Sequence, residues 1–99
     1  MLNAGIIGLG IGEKHAIAYL NHKQVNLKSV CDFEKTKLDQ FHSKFPYVET
    51  FSQDKSILKD ESIDIVSVAS YDNYHAEQVV EAFRNGKHVI AEKPICLSQ

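Results

Sequence analysis

Near the start of the chain, Gly8-Leu9-Gly10-Ile11-Gly12 sets three glycines at alternate positions between an apolar run and a helix-compatible segment. Glycine admits positive φ, and a turn free of side chains lets an anion approach the main chain. There the N-terminus of the following helix supplies unpaired N–H groups and a partial positive charge. A phosphate can be held at such a turn without a basic side chain. Asp32 ends a second apolar segment 20 residues after Gly12, the place where a dinucleotide-binding unit needs an acid to accept hydrogen bonds from the adenosine ribose hydroxyls. Each feature also has a plainer reading. The glycines could serve a simple strand-to-helix turn, and Asp32-Phe33-Glu34 could cap the next helix. Taken together at this separation they point to a dinucleotide. An acid at position 32, followed by Phe33 rather than Arg, repels a 2′-phosphate and so favours NAD over NADP, although Lys35 and Lys37 nearby soften that preference.

The glycine spacing is one residue tighter than the usual Gly-x-Gly-x-x-Gly. Glu13 stands where the third glycine is expected, so its carboxylate must point away from a bound pyrophosphate. No Gly-Lys-Ser/Thr follows the glycines, which sets aside a general nucleotide-phosphate loop. Two further groups of residues carry chemistry. Ser70-Tyr71-Asp72-Asn73-Tyr74-His75 leaves an apolar segment and opens a helix that Asp72 can cap, with His75 in its first turn. Near the end, Glu92-Lys93-Pro94 leaves another apolar segment, and Pro94 fixes the exit direction. Alone, the last group reads as an exposed charged loop, and His75 as a cap partner or core histidine.

The elements that must position these residues alternate between apolar runs and helical patterns, which is the sequence form of a parallel sheet covered by helices. Strands are expected at Leu2 to Ile7, Leu27 to Asp32, Ile63 to Ala69 and His88 to Ala91, with a short one at Val48 to Phe51. Helices are expected from Glu13 to about His22 and from Glu34 to Phe45, with a brief one at Ser56 to Lys59. In the second helix Leu38, Phe41 and Phe45 form a stripe and Pro46 supplies the stop. In the helix after Ser70, Ala76, Val79, Val80 and Phe83 fall at i, i+3, i+4 and i+7, and Asn85-Gly86 ends it. Right-handed crossovers would gather the glycine turn, Asp32 and the segment after Ala69 at the carboxyl edge of the sheet.

A chain of 99 residues makes one domain, with room for one site. Its formal net charge of -2, with Lys and Glu interspersed, gives no reason to expect nucleic acid or a charged membrane surface as partner. Cys31 and Cys96 lack metal-ligand spacing and read as reduced thiols. No basic leader precedes the first apolar run, and no apolar stretch approaches the ~20 residues that cross a bilayer, so a cytoplasmic location is expected.

The assembled motifs strongly resemble the N-terminal domain of the glucose-fructose oxidoreductase, inositol dehydrogenase and MocA family (Gfo/Idh/MocA). The resemblance rests on IIGLGIGEKHA (Ile6 to Ala16), VCDFEKTKL (Val30 to Leu38), VASYDNYHAEQVVEAFRNGKHV (Val68 to Val89) and EKP (Glu92 to Pro94), and spans essentially the whole chain. It implies a Rossmann-type, doubly wound α/β fold and hydride transfer between NAD(P) and a hydroxyl-bearing carbon of a sugar, polyol or nucleotide-linked sugar. Lys93 matches the family's EKP lysine, which is similar to one that contacts the nicotinamide ribose and helps polarise or protonate the reacting oxygen. An ammonium there stabilises the alkoxide that forms as hydride leaves carbon.

The candidate cofactor-binding set is therefore Gly8, Gly10, Ile11, Gly12, Asp32, Ser70, Tyr71, Asp72, His75, Glu92 and Lys93, with Lys93 also the candidate catalytic residue and no metal implied. Family members often carry Thr-Pro-Asn-x-x-His where this chain has Ser70-Tyr71-Asp72-Asn73-Tyr74-His75, a departure that bears on the nicotinamide side. The resemblance also implies a second α+β domain holding the principal acid/base residue, usually a histidine. Without it the 99 residues are expected to bind dinucleotide weakly and to lack turnover, and dimerisation through exposed surface stays open. The alternative is a non-catalytic dinucleotide-binding or redox-sensing module. Lys93 leans against it, because a sensor needs no ammonium beside the reacting carbon.

Overall fold

The alternating pattern folds into five parallel strands in the order β3-β2-β1-β4-β5. The computed structural model describes residues 1–10, 12–70 and 75–91. Its elements are β1 (Leu2–Ile7), α1 (Gly12–Leu20), β2 (Val25–Cys31), α2 (Lys35–Lys44), β3 (Glu49–Phe51), α3 (Lys55–Leu58), β4 (Ile65–Val68), α4 (His75–Arg84) and β5 (His88–Ala91). The order reverses direction between β1 and β4, the switch point of a Rossmann sheet, where ligands bind beyond the carboxyl ends of the strands.

Because side chains alternate across a strand, each face of the sheet has its own apolar layer. Ala4 and Ile6 of β1 and Leu27 and Val30 of β2 pack under Ala16 and Tyr19 of α1 and Leu38 and Phe41 of α2. On the other face Ile7, Cys31, Val66 and Val68 meet Ile57 and Leu58 of α3 and Ala82 of α4. Each large side chain buried in this way contributes roughly 1.5–3 kcal/mol. The β1–β2 register slips between Ala4 and Gly5, so Lys28 is the extra residue on β2. From there its ammonium reaches Asp60 at 2.7 Å on the amino-terminal edge, far from the carboxyl edge.

The expected elements are all present, with shifts of about two residues at their ends. The expected strand from Ile63 to Ala69 is shorter, Ile65–Val68. The first helix stops at Leu20 rather than running to His22. α4 ends as expected: Gly86, at φ +74°, donates to Phe83 O at 3.0 Å and Lys87 N donates to Ala82 O at 3.1 Å, the paired bonds of a Schellman motif.

The spacing of Ala76, Val79, Val80 and Phe83 marks the helix but not its buried face: Val80 and Phe83 are 48% and 63% exposed, and the buried face is Gln78 and Ala82, with Val79 half-buried beside them. Small Ala82 lets α4 approach the sheet closely. The polar Gln78 is accepted there because its amide is hydrogen-bonded on both sides.

Candidate functional site

At the carboxyl edge the ladders continue into the loops. Gly8 N donates to Cys31 O at 2.8 Å, Ala69 N to Ile7 O at 2.8 Å and Asp32 N to Phe51 O at 3.2 Å. These bonds bring the glycine turn, Asp32 and the end of β4 side by side. The contact between turn and β4 is close: at Gly8, with φ +95°, a Cβ would lie 2.7 Å from Ala69 C and Ser70 N. No L side chain fits there without displacing main chain.

Gly12 does the work expected of a third glycine, one position early. It opens α1, and a Cβ on it would lie 2.8 Å from Cγ2 of Ile6, so its bareness lets the helix sit on β1. Glu13 turns aside, as the tighter spacing requires. Its Oε2 accepts from Lys44 Nζ of α2 at 2.9 Å, an arrangement that removes its charge from the turn.

Two amides of the turn are spent internally. Gly8 N is taken by Cys31 O, and Leu9 N donates to Asp32 Oδ2 at 2.8 Å. The N–H groups of Gly10 and Gly12 have no partner among the described residues. They stand at the N-terminus of α1, where the helix dipole favours an anion. Asp32 holds the turn with one oxygen and accepts from Glu34 N at 2.8 Å with the other. It does not cap α2 with its side chain; Glu34 occupies the N-cap position. A carboxylate offers about four lone-pair sites, so two remain for ribose hydroxyls. Asp32 is partly exposed and its backbone ends β2 beside the turn. The residues present therefore fit a dinucleotide: two free amides for its diphosphate, and a braced carboxylate for its ribose.

Of the remaining candidates, Ser70 lies against the turn, and His75 is the first residue of α4. Ile11, Tyr71, Asp72, Glu92 and Lys93 lie outside the described residues.

Three features of the site were not legible beforehand. A cleft of about 380 Å³ begins at Phe33, the residue after Asp32, and is lined further by Gln53, Asp54, Lys55, Glu77, Gln78 and Glu81. Gln78, 2% exposed, accepts from the Ser70 hydroxyl and donates from Nε2 to Asp54 Oδ2 at 2.8 Å. Beneath α1, buried Ser67 of β4 bonds Tyr19 OH at 2.6 Å and His15 Nδ1 at 3.0 Å, fixing the first turn of the helix that follows the glycine turn. Burial pushes the Tyr19 phenol above its ordinary pKa, with the Ser67 hydrogen bond opposing. In sequence, one Gln or Ser among apolar residues carries no mark of such pairing. The i, i+4 spacing of Gln78 and Ala82 was the available signal, and the larger side chains of the neighbouring stripe outweighed it.

A family model described as the oxidoreductase family with an NAD-binding Rossmann fold, Gfo/Idh/MocA, matches residues 2–99. Among curated proteins, the chain is 30% identical over 98 residues to 2,7-anhydro-N-acetylneuraminate hydratase of Escherichia coli, covering 99% of this chain and 26% of the relative. It is 30% identical over 95 residues to D-glucoside 3-dehydrogenase of the same organism, covering 94% of this chain and 27% of that protein. A crystal structure of scyllo-inositol dehydrogenase from Lactobacillus casei with bound NAD(H) and scyllo-inositol superposes with a TM-score of 0.84 at 30% identity, covering 99% of this chain and 29% of that one. The chain thus spans about a quarter of the length of the relatives it matches.

Proposed function

Since the chain belongs to the Gfo/Idh/MocA oxidoreductase family, we propose that it forms the dinucleotide-binding part of an enzyme that moves a hydride between NAD and a hydroxyl-bearing carbon of a sugar or polyol. The observation that carries this reading is the pairing of two amides without a partner among the described residues, Gly10 and Gly12, with a carboxylate, Asp32, locked to the same turn through Leu9 N. The amides and the dipole of α1 would hold the diphosphate. Asp32 would accept the ribose hydroxyls, and its charge would disfavour a 2′-phosphate.

Bound NAD supplies the hydride acceptor. What the chain's own residues add is position and charge. Ser70 and the residues that follow it would border the nicotinamide end. Lys93, matched through the family's EKP motif, would place an ammonium beside the reacting oxygen and stabilise the negative charge that grows there. The residue that removes the hydroxyl proton is proposed to lie in a further domain, in keeping with relatives about four times as long. That the relatives include a hydratase as well as a dehydrogenase supports the reading that the choice of substrate and net outcome lies in that further part.

Titration calorimetry with NADH and NADPH tests the reading. NADH should bind more tightly than NADPH, and Asp32→Ala should weaken NADH by about tenfold, as loss of a charge-assisted hydrogen bond does. If neither nucleotide binds at millimolar concentration, the proposal fails.

A further inference from the structure

The cleft that begins at Phe33 has a wall that is polar and held in place. Asp54, the residue before α3, is joined through the buried amide of Gln78 to Ser70 at the end of β4, so one side chain of α4 ties the adenosine-side wall to the loop that borders the glycine turn. The amide is polarised in one sense. Its oxygen takes the Ser70 hydroxyl and its N–H group donates to a carboxylate oxygen of Asp54. Lys55 of the same lining is directed to Glu81 at 3.5 Å, and among the described residues no ammonium pairs with Asp54. Glu77 adds a further acid to the lining.

We infer that Asp54, positioned by Gln78, is a second specificity-determining carboxylate of this site and acts with Asp32 to exclude a dinucleotide that carries a 2′-phosphate. The inference rests on the dinucleotide reading above. Asp32 follows Cys31 at the end of β2, and the negative charges of Asp54 and Asp32 both act on its thiol. A phosphate on the ribose held by Asp32 would enter the cleft next to Phe33 and meet a fixed negative charge on each side. A mobile surface acid could swing away from such a ligand. Asp54 is held by a side chain 2% exposed and has less freedom to do so. Lys35 and Lys37, the cations that the sequence sets against NAD preference, are directed elsewhere: Lys35 lies 3.5 Å from Asp39 and Lys37 3.3 Å from Glu34.

The test is the ratio of the NADPH and NADH dissociation constants, read from nicotinamide fluorescence on the full chain, for wild type, Asp54→Asn, Asp54→Glu and Gln78→Leu. Asp54→Asn keeps the shape and removes the charge. It should tighten NADPH by about fivefold, the scale of one like charge within ~8 Å in a partly solvated site, and leave NADH within about twofold. Asp54→Glu should keep the wild-type ratio. Gln78→Leu should shift it in the same direction as Asp54→Asn, because the freed carboxylate can turn to solvent. A purely structural role would change both constants together and leave the ratio alone. If Asp54→Asn does not fold, Asp54→Ser is read in its place. An unchanged ratio in a protein that binds NADH overturns the role of Asp54 and leaves the function standing; a wild type that binds neither nucleotide overturns both.

Discussion

Asp32 Oδ2 accepts the N–H of Leu9 at 2.8 Å, so the acid that ends β2 is also the strut that holds the glycine turn after β1. In the proposed site a single carboxylate thereby shapes one subsite and provides the other. Replacing it by Ala leaves two backbone donors, Leu9 N and Glu34 N, without their charged acceptor. Partial exposure lets water replace some of the loss. Asp32→Ala should therefore destabilise by about 1–2 kcal/mol, a fall in Tm of roughly 4–16 °C for a domain of this size, measured by circular dichroism.

Gly8 and Gly86 both have positive φ but differ in the space around them, a contrast that two alanine substitutions would expose. At Gly8 a Cβ meets main-chain atoms of Ala69 and Ser70 at 2.7 Å, whereas at Gly86 nothing lies within 4 Å. Gly86→Ala should cost about 1–2 kcal/mol, the strain of the left-handed conformation alone. Gly8→Ala should cost about 3 kcal/mol or more, because the turn must also move away from β4. Urea denaturation of the two variants gives both values, and equal costs would contradict the close contact of turn and strand.

Cys31 is buried, and its thiol is pushed up to about 12, first by burial and then by the negative charges of Asp54 and Asp32. At pH 8 almost none of it is thiolate, the reactive form. Iodoacetamide at that pH, followed by peptide mapping, should leave the Cys31 peptide unmodified in the native protein and label it in denaturant. Rapid native labelling would mean that the end of β2 is open.

At the opposite edge, the hydrogen bond from Lys28 holds the Asp60 carboxyl down at about 2, helped by Ser62 and opposed by burial. The unfolded chain binds its proton near pH 4, above the folded value, so between about pH 4 and 2 the unfolded state holds more protons. The stabilisation is fully present above pH 4 and is lost as pH falls towards 2. Lys28→Met should flatten that part of the stability profile and cost no more than about 1 kcal/mol at pH 7, since both side chains are partly exposed.

Much of this could be read before the fold was known. β1 and β5 are bounded as the apolar runs suggested, and Gly8, Gly12, Asp32 and Ser70 share one edge because parallel strands leave their carboxyl ends together. The spending of the amides was not legible. Which N–H of a glycine turn stays free depends on where neighbouring carbonyls and carboxylates fall, and Cys31 O and Asp32 Oδ2 are distant in sequence from the donors they take. The buried face of α4 was not legible, because hydrophobicity alone ranks Val80 and Phe83 above Gln78 and Ala82. Close approach and a satisfied amide decide the packing instead.

The central claim is that the amides of Gly10 and Gly12 receive the diphosphate of the cofactor while Asp32 receives its ribose. Amide chemical shifts of the nitrogen-labelled chain, followed through a titration with NAD, test it most directly. The account predicts the largest changes at Gly10, Gly12 and the residues around Asp32, with Asn3, Lys28 and Lys87 at the amino-terminal edge unmoved. Changes centred on that edge, or a bound state in which the two glycine amides keep their free positions, would contradict it.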